Sequence, residues 1–221
     1  MVENKKVNIS DFVRSLPLRV IGHMYHVGLL TSILAGKFCE TASSNSTYRK
    51  EELSYYGKAA FLHDIGKAFI PVNILIKSDR FTAGEMEIMK KHTLCAQALF
   101  DDMDRGLING TPEQYIGLAR DAAVYHHEWW NGKGYPYGIG NEEIPFIARM
   151  VAVCDAYDAI TSNRCYKVAN THCYACRELE TFSGTQFDPK LVKVFLDNEA
   201  EFANLIRING VLSKDSFRLN K

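Results

Sequence analysis

The sequence predicts an all-α fold. Apolar residues recur at helical spacing in segment after segment, no stretch alternates polar and apolar residues as a half-buried strand does, and helix-start signals divide the chain at short intervals. At 221 residues the chain is long enough to bury one sizeable core, and no repeat, low-complexity stretch or linker divides it. The organisation expected is a short N-terminal segment (1–17), a helical domain (18–205) and a C-terminal tail (206–221).

Leu18 to Phe38 gives the first long helix, with Val20, Val27, Leu30, Ile33 and Leu34 on its apolar side and His23 and His26 one turn apart. A Ser/Thr/Asn loop follows, in which Asn45-Ser46-Thr47 matches a glycosylation sequon without meaning for a cytosolic chain. A second helix runs from Lys50 to His63-Asp64 and ends at Gly66, taken as a left-handed glycine cap. Phe69 to Ile76 reads as an extended connection pinned by Pro71. Thr82 and Glu85 form a capping box, and the helix they open passes His92 and continues to Met103. Thr111-Pro112 starts the next helix, which delivers His126-His127. Gly132 and Gly134, both expected at positive φ, and Tyr135-Pro136 then make a tight loop. Pro145 opens a strongly apolar helix reaching Ser162, interrupted on one side by Asp155 and Asp158, and two shorter helices follow near 171–182 and 189–202.

Twenty-six basic residues balance twenty-six acidic ones, so no global charge draws the chain to duplex nucleic acid or to an anionic membrane, and any polyanion must meet a local site. No uninterrupted apolar run reaches the length of a membrane span and the N-terminus lacks a signal-peptide core, which points to the cytoplasm. The six cysteines sit in helical surroundings and read as reduced thiols. Cys173 and Cys176 form a lone C-x-x-C, read as packing on one helical face with no function assigned.

Five of the seven histidines fall into a pattern with two aspartates: His23, His63, Asp64, His92, His126, His127 and Asp155. Successive side chains on a helix diverge by about 100°, so His126 and His127 can reach two adjacent ions. An aspartate in a helix as apolar as 150–159 is expensive to bury unpaired, and a metal is an effective partner. One bridging carboxylate with imidazoles at the outer positions is the complement of a dinuclear site, and a donor set without thiolate favours iron, manganese, nickel or zinc. Any one of these histidines alone is more often an ordinary hydrogen-bonded residue, and His26 and His172 are read so. The consecutive pairs His63-Asp64 and His126-His127, at the ends of apolar helices and followed closely by glycine and lysine, resist that reading.

Phe61-Leu62-His63-Asp64-Ile65-Gly66-Lys67 and the later segment HHEWWNGKGYP, with IPFIARMVAVCDAYDAITSNRCYK and GTQFDP, resemble the HD-GYP family of HD-type metal-dependent phosphohydrolases over Leu18 to Pro189. The resemblance implies an HD-domain helical bundle with an embedded dinuclear metal site and a GYP loop, and hydrolysis of cyclic dinucleotides, chiefly cyclic di-GMP. It implies His23, His63 and Asp155 on one ion, His92, His126 and His127 on the other, and Asp64 as the bridge. It also implies that Asp64 and Lys67 are catalytic, with Lys67 on the phosphate, that Arg164 and Lys167 contact guanine and phosphate, and that Tyr135 shapes the substrate site. Family members that bind a third metal carry glutamate one turn before the first histidine, where this chain has Arg19, so two divalent ions, iron or manganese, are expected. Asn131 stands at the family's usual aspartate, and residues 37–49 are longer than usual.

The expected reaction is opening of cyclic di-GMP to linear 5′-pGpG by a hydroxide generated between the ions, with Lys67 and the metals neutralising the phosphate oxygens and conversion to GMP slow at most. Arg164 could donate twice to the guanine edge, and Trp129 or Trp130 could stack on a base. Alternatives are an HD-type hydrolase of another nucleotide such as 3′,3′-cyclic GMP-AMP, and a cyclic dinucleotide receptor or interaction module that meets GGDEF-type diguanylate cyclases through Tyr135-Pro136. All seven ligand positions are filled, which favours catalysis.

Overall fold

The structure, a computed structural model, describes residues 7–41, 50–162 and 170–205. Its elements in order are β1 (Val7–Asn8), α1 (Ile9–Ser15), α2 (Leu18–Thr41), α3 (Lys50–Leu53), α4 (Tyr56–Ala60), a 3-10 turn (Ile65–Phe69) and α5 (Val72–Leu75). Then come α6 (Ala83–Lys90), α7 (His92–Asp104), β2 (Ile108–Asn109), α8 (Glu113–Tyr125), a short 3-10 turn (Asn141–Glu143), α9 (Phe146–Thr161), α10 (His172–Thr181) and α11 (Pro189–Asp197). Residues 199–205 add a last short helix of about two turns.

The all-α expectation holds, with one addition. β1 and β2 form a parallel two-residue pair, Val7 opposite Ile108, too short to leave any alternation in the sequence. An Asn8/Asp11 capping box starts α1, and Ile9 and Leu16 are buried in the main core.

α2 organises that core. By length and composition it is apolar enough to cross a membrane, contrary to the expectation from sequence, and its apolar side is spent inside the protein. Val20, Met24, Val27, Leu30 and Leu34 are buried against α4 and α9, which flank the helix. α8 in turn packs on α4, α7 and α9. The site described below lies where these helices converge.

Several local expectations change. The helix predicted from Lys50 to Asp64 is two short pieces, α3 and α4, followed by turns through His63. Gly66 is no left-handed cap: a Cβ there would lie 1.9 Å from the His92 carbonyl oxygen, so glycine is needed because the 3-10 turn presses on the start of α7. Phe69 to Ile76 is not an extended connection: Pro71 precedes the single turn of α5. The Thr82/Glu85 capping box forms with both reciprocal hydrogen bonds, at 2.7 and 3.3 Å, yet its helix breaks at Lys91, so His92 stands at a helix start. Pro112 and Pro145 sit one residue ahead of the first helical position. Arg164, Lys167, the sequon and most of the long stretch before Lys50 fall outside the described residues.

Candidate metal centre

Asp64 is the hub. Its carboxylate is 1% exposed at the turn after α4, with Oδ1 3.5 Å from His92 Nε2 and 3.9 Å from His126 Nε2. Oδ2 lies 3.4 Å from His63 Nε2 and 3.6 Å from His23 Nε2, and it accepts a hydrogen bond from Lys67 Nζ one turn on. Beside Asp64, Asp155 Oδ1 of α9 is 2.9 Å from the same His23 Nε2. Two groups of donor atoms result, His23/His63/Asp155 and His92/His126/His127, and a third, His63/Asp64/His126, joins them through Asp64. All seven residues singled out from the sequence as metal ligands come together.

The imidazoles are aimed from behind. Nδ1 of His63, His92 and His126 donates to the carbonyls of Ala60, Met89 and Ala122, at 2.9, 2.7 and 2.8 Å. Each bond fixes the tautomer and leaves the Nε2 lone pair facing inward, the usual support for a metal-ligating histidine. Those three Nε2 atoms and Asp64 Oδ1 are buried without a hydrogen-bond partner. Four orphaned acceptors converging on one space are costly unless a cation fills it, so the residues present fit a pair of divalent ions.

Electrostatics agree. Burial pushes the His92 imidazole down to about 4 and that of His127 to about 3, while burial and the neighbouring His127 hold His126 well below the usual range. These rings are neutral and ready to ligate at neutral pH. Burial works against charge on Asp64 and Asp155, but Lys67 and His63 beside the first, and the His23 hydrogen bond to the second, keep both carboxyls well below their usual range. His23 is the exception: burial would lower it, yet Asp155 and Asp158 outweigh that and raise it to about 9.

Exposure shows which side is open. His63 and His126 are sealed at 0%, whereas His23, Asp155 and Lys67 keep 15%, 19% and 21% of their side chains accessible. The glycine-rich loop walls the opposite flank. The Tyr135 ring stacks on His127 at 4.7 Å and 22°, with the Lys90 ammonium 5.6 Å from the same ring. Gly132 has φ +77°, as expected, but Gly134 does not need positive φ. A Cβ on Gly134 would sit 2.3 Å from the Trp129 amide nitrogen and 2.5 Å from the His127 carbonyl oxygen, so the loop folds back on the histidine pair at contact distance. Asn131 Oδ1 accepts from the Lys133 amide at 3.1 Å, a bond aspartate would make equally well.

Two supports escaped the sequence reading. Glu128, buried directly after the histidine pair, accepts from the amides of Tyr137 and Gly138 at 2.6 and 3.0 Å and ties the loop's far end to its start. Asp158 Oδ2 lies 2.6 Å from His23 Nδ1, completing a carboxylate–histidine pair behind a candidate ligand. An acid one residue after His127 and one turn after Asp155 were the available signals. Trp130 is packed, with its amide donating to the Gln186 carbonyl at 3.0 Å and Arg149 5.8 Å from its ring; Trp129 is the more exposed of the two.

Residues 22–191 match the HD domain family. The chain is 33% identical over 183 residues to a protein of Vibrio cholerae named a probable cyclic di-GMP phosphodiesterase, which covers 83% of this chain and 41% of that one. It is 39% identical over 149 residues to a cyclic di-GMP phosphodiesterase of Thermotoga maritima, covering 67% of this chain and 38% of the relative. The chain thus spans about two-fifths of the length of these curated relatives. The fold is shared with an HDG"Y"P protein from Bdellovibrio bacteriovorus, with a TM-score of 0.59 at 18% identity over 85% of this chain and 52% of that one. With the family match spanning α2 to the start of α11, and with His63-Asp64 and the Gly134-Tyr135-Pro136 loop both at the candidate centre, the chain belongs to the HD domain family, in its HD-GYP branch.

Proposed function

We propose that the chain is a metal-dependent phosphodiesterase that opens cyclic di-GMP to linear 5′-pGpG. The observation that carries this reading is the convergence of His63 Nε2, His92 Nε2, His126 Nε2 and Asp64 Oδ1, all buried and unpartnered, beside an open flank. Two divalent ions would supply an acidified water and charge neutralisation at the phosphate; a nitrogen and oxygen donor set without thiolate suits iron, manganese, nickel or zinc, and of these we assign iron or manganese from the resemblance to the HD-GYP family. His23, His63 and Asp155 would hold one, His92, His126 and His127 the other, with Asp64 placed to serve both.

The chain's own residues do the rest. Lys67 Nζ lies at the accessible edge of Asp64 and meets a non-bridging phosphate oxygen. Hydrolysis joins the water oxygen to phosphorus and breaks the P–O3′ bond, leaving a 5′-phosphate and a free 3′-hydroxyl. Tyr135 keeps His127 in place, and exposed Trp129 offers a ring for a base. Arg164 and Lys167, outside the described residues, are assigned to the guanine and a phosphate. We further assign the activity to the cytoplasm and the exposed Lys133 and Tyr137 side of the Tyr135-Pro136 loop to contact with GGDEF-type cyclases.

The test is product analysis after incubating cyclic di-GMP, and 3′,3′-cyclic GMP-AMP in parallel, with protein purified without oxygen and loaded with iron(II) or manganese(II). Linear pGpG is expected from the wild type and not from the His126→Ala/His127→Ala variant. Binding of cyclic di-GMP without cleavage by the fully metallated protein would replace the phosphodiesterase reading with that of a receptor.

A further inference from the structure

Hydrolysis of one phosphodiester uses Lys67 and leaves a second cation of the centre, Lys90, without a task. Lys90 ends α6 two residues before His92 opens α7, and the carbonyl that aims His92 Nδ1 belongs to its neighbour Met89. Its ammonium lies 5.6 Å from the centre of the Tyr135 ring, and the same ring stacks on His127 at 4.7 Å. His92 and His127 meet edge to face at 5.1 Å. Lys90 is therefore tied by backbone to one of these imidazoles and through Tyr135 to the other. Lys67 reaches the same two rings: after burial, its charge is among the influences that lower His92 and His127. Two lysines thus border one side of the centre.

The Lys90 ammonium is available to a ligand. Its partner in the structure is Glu87 Oε1 at 2.7 Å, with 40% of the Lys90 side chain and 68% of the Glu87 side chain accessible. An ion pair this open to water contributes little, so an anion can draw the ammonium away from Glu87. The flexible four-carbon stem lets the charge move while α6 stays in place. Tyr135 supports that movement without competing for it. Burial, and after it the charges of Asp64, Asp155 and Glu87, push its phenol above the usual range, so the ring stays neutral between the carboxylates of the centre and the Lys90–Glu87 pair.

A cyclic dinucleotide carries two phosphodiesters, one nucleotide apart. The first is opened beside Lys67, while the second keeps its charge throughout and loses part of its water as the ring enters the site. We propose that Lys90 anchors this second, uncleaved phosphate, and thereby selects ligands with two phosphates over simple diesters. The inference rests on the phosphodiesterase reading for the place of the first phosphate. Nζ donates to a non-bridging oxygen of a group that does not react, so the contact is the same before and during bond breaking. It therefore acts on binding and leaves the chemical step alone.

Steady-state kinetics of the manganese-loaded chain with cyclic di-GMP and with bis(p-nitrophenyl) phosphate, a diester with a single phosphate, tests this. Lys90→Gln should raise KM for cyclic di-GMP about tenfold or more with kcat within about twofold of the wild type. KM for the simple diester should change by about twofold at most, and Lys90→Arg should restore most of the loss with cyclic di-GMP. An unchanged KM for cyclic di-GMP in Lys90→Gln would overturn the anchor. So would an equal rise with both substrates, which would make Lys90 a prop for Tyr135 and His127 instead. If the wild type binds cyclic di-GMP without cleaving it, the phosphodiesterase reading fails alone: the same tenfold loss is then read as Kd by calorimetry, and a wild-type Kd in Lys90→Gln overturns the anchor as well.

Discussion

His23 differs from the other imidazoles of the centre in what stands behind it. His63, His92 and His126 lean on backbone carbonyls, which no substitution removes, but His23 leans on the Asp158 carboxylate. Asp158 is itself held by Ser162 Oγ at 3.0 Å and lies 3.4 Å from His26, and the hydrogen bond from His23 keeps its carboxyl below the usual range against the effect of burial. Replacing the charge while keeping the shape isolates this support. Asp158→Asn should weaken manganese binding about 10–100-fold while the protein stays folded, with activity recovering as metal is raised. A calorimetric titration giving wild-type manganese affinity would show that His23 needs no carboxylate behind it. The ligands were legible because adjacent ionisable residues at the ends of apolar helices make poor core. Asp158 was not, since an acid one turn from Asp155 reads only as a second interruption of the same apolar helix.

At the scale of elements, the segment from Glu128 to Gly140 is held at both ends rather than at its tip. Glu128 clamps the Tyr137 and Gly138 amides, and the Trp130 and Asn131 amides donate to the carbonyls of Gln186 and Thr185. Arg149 stiffens this junction, with a 2.8 Å ion pair to buried Asp188 and its guanidinium 5.8 Å from the Trp130 ring. The segment GTQFDP therefore serves as a seat for the loop. Gly134 is where the loop touches the histidine pair, so Gly134→Ala forces backbone apart and should cost about 1–3 kcal/mol in urea denaturation. Asn131→Asp, which keeps the Lys133 bond at an exposed position, should change stability by no more than about 0.5 kcal/mol. Equal stability of Gly134→Ala and the wild type would mean that the close approach is dispensable. Sequence located this loop and its glycines but gave Gly134 and Gly66 the wrong reason. A left-handed turn and a close backbone approach both demand glycine, and only the fold reveals which neighbour arrives, here the His92 carbonyl for Gly66. The Thr82/Glu85 cap was readable because its partners lie three residues apart, whereas the break at Lys91 and the β1–β2 pair depend on residues far along the chain.

Across the whole molecule, the helices carry like-charge and desolvation costs into one shared space, and stability must therefore follow metal and pH together. In the metal-free chain, His92 and His127 are held at about 4 and about 3, and His126 well below the usual range, against 6.5 unfolded. Below pH 6.5 the unfolded chain takes up protons that the folded chain refuses, so their contribution is complete above 6.5 and is lost as pH falls toward 4. Each such group contributes a slope of up to about 1.4 kcal/mol per pH unit in that window. His23, raised to about 9, works oppositely: its contribution is complete below 6.5 and is lost as pH rises through about 9. Chelated protein should thus melt highest between these limits and markedly lower at pH 5 than at pH 7. Manganese at a hundred times its dissociation constant should add about 2.7 kcal/mol per site at pH 7, and less at pH 5, where protons compete with the ion for the same Nε2 atoms. Melting curves recorded at both pH values, with chelator and with manganese, measure all four states. Equal melting temperatures for the chelated protein at pH 5 and pH 7 would mean that the buried imidazoles protonate without disturbing the fold, and that their convergence on Asp64 is not the strained, cation-seeking arrangement on which the phosphodiesterase reading depends.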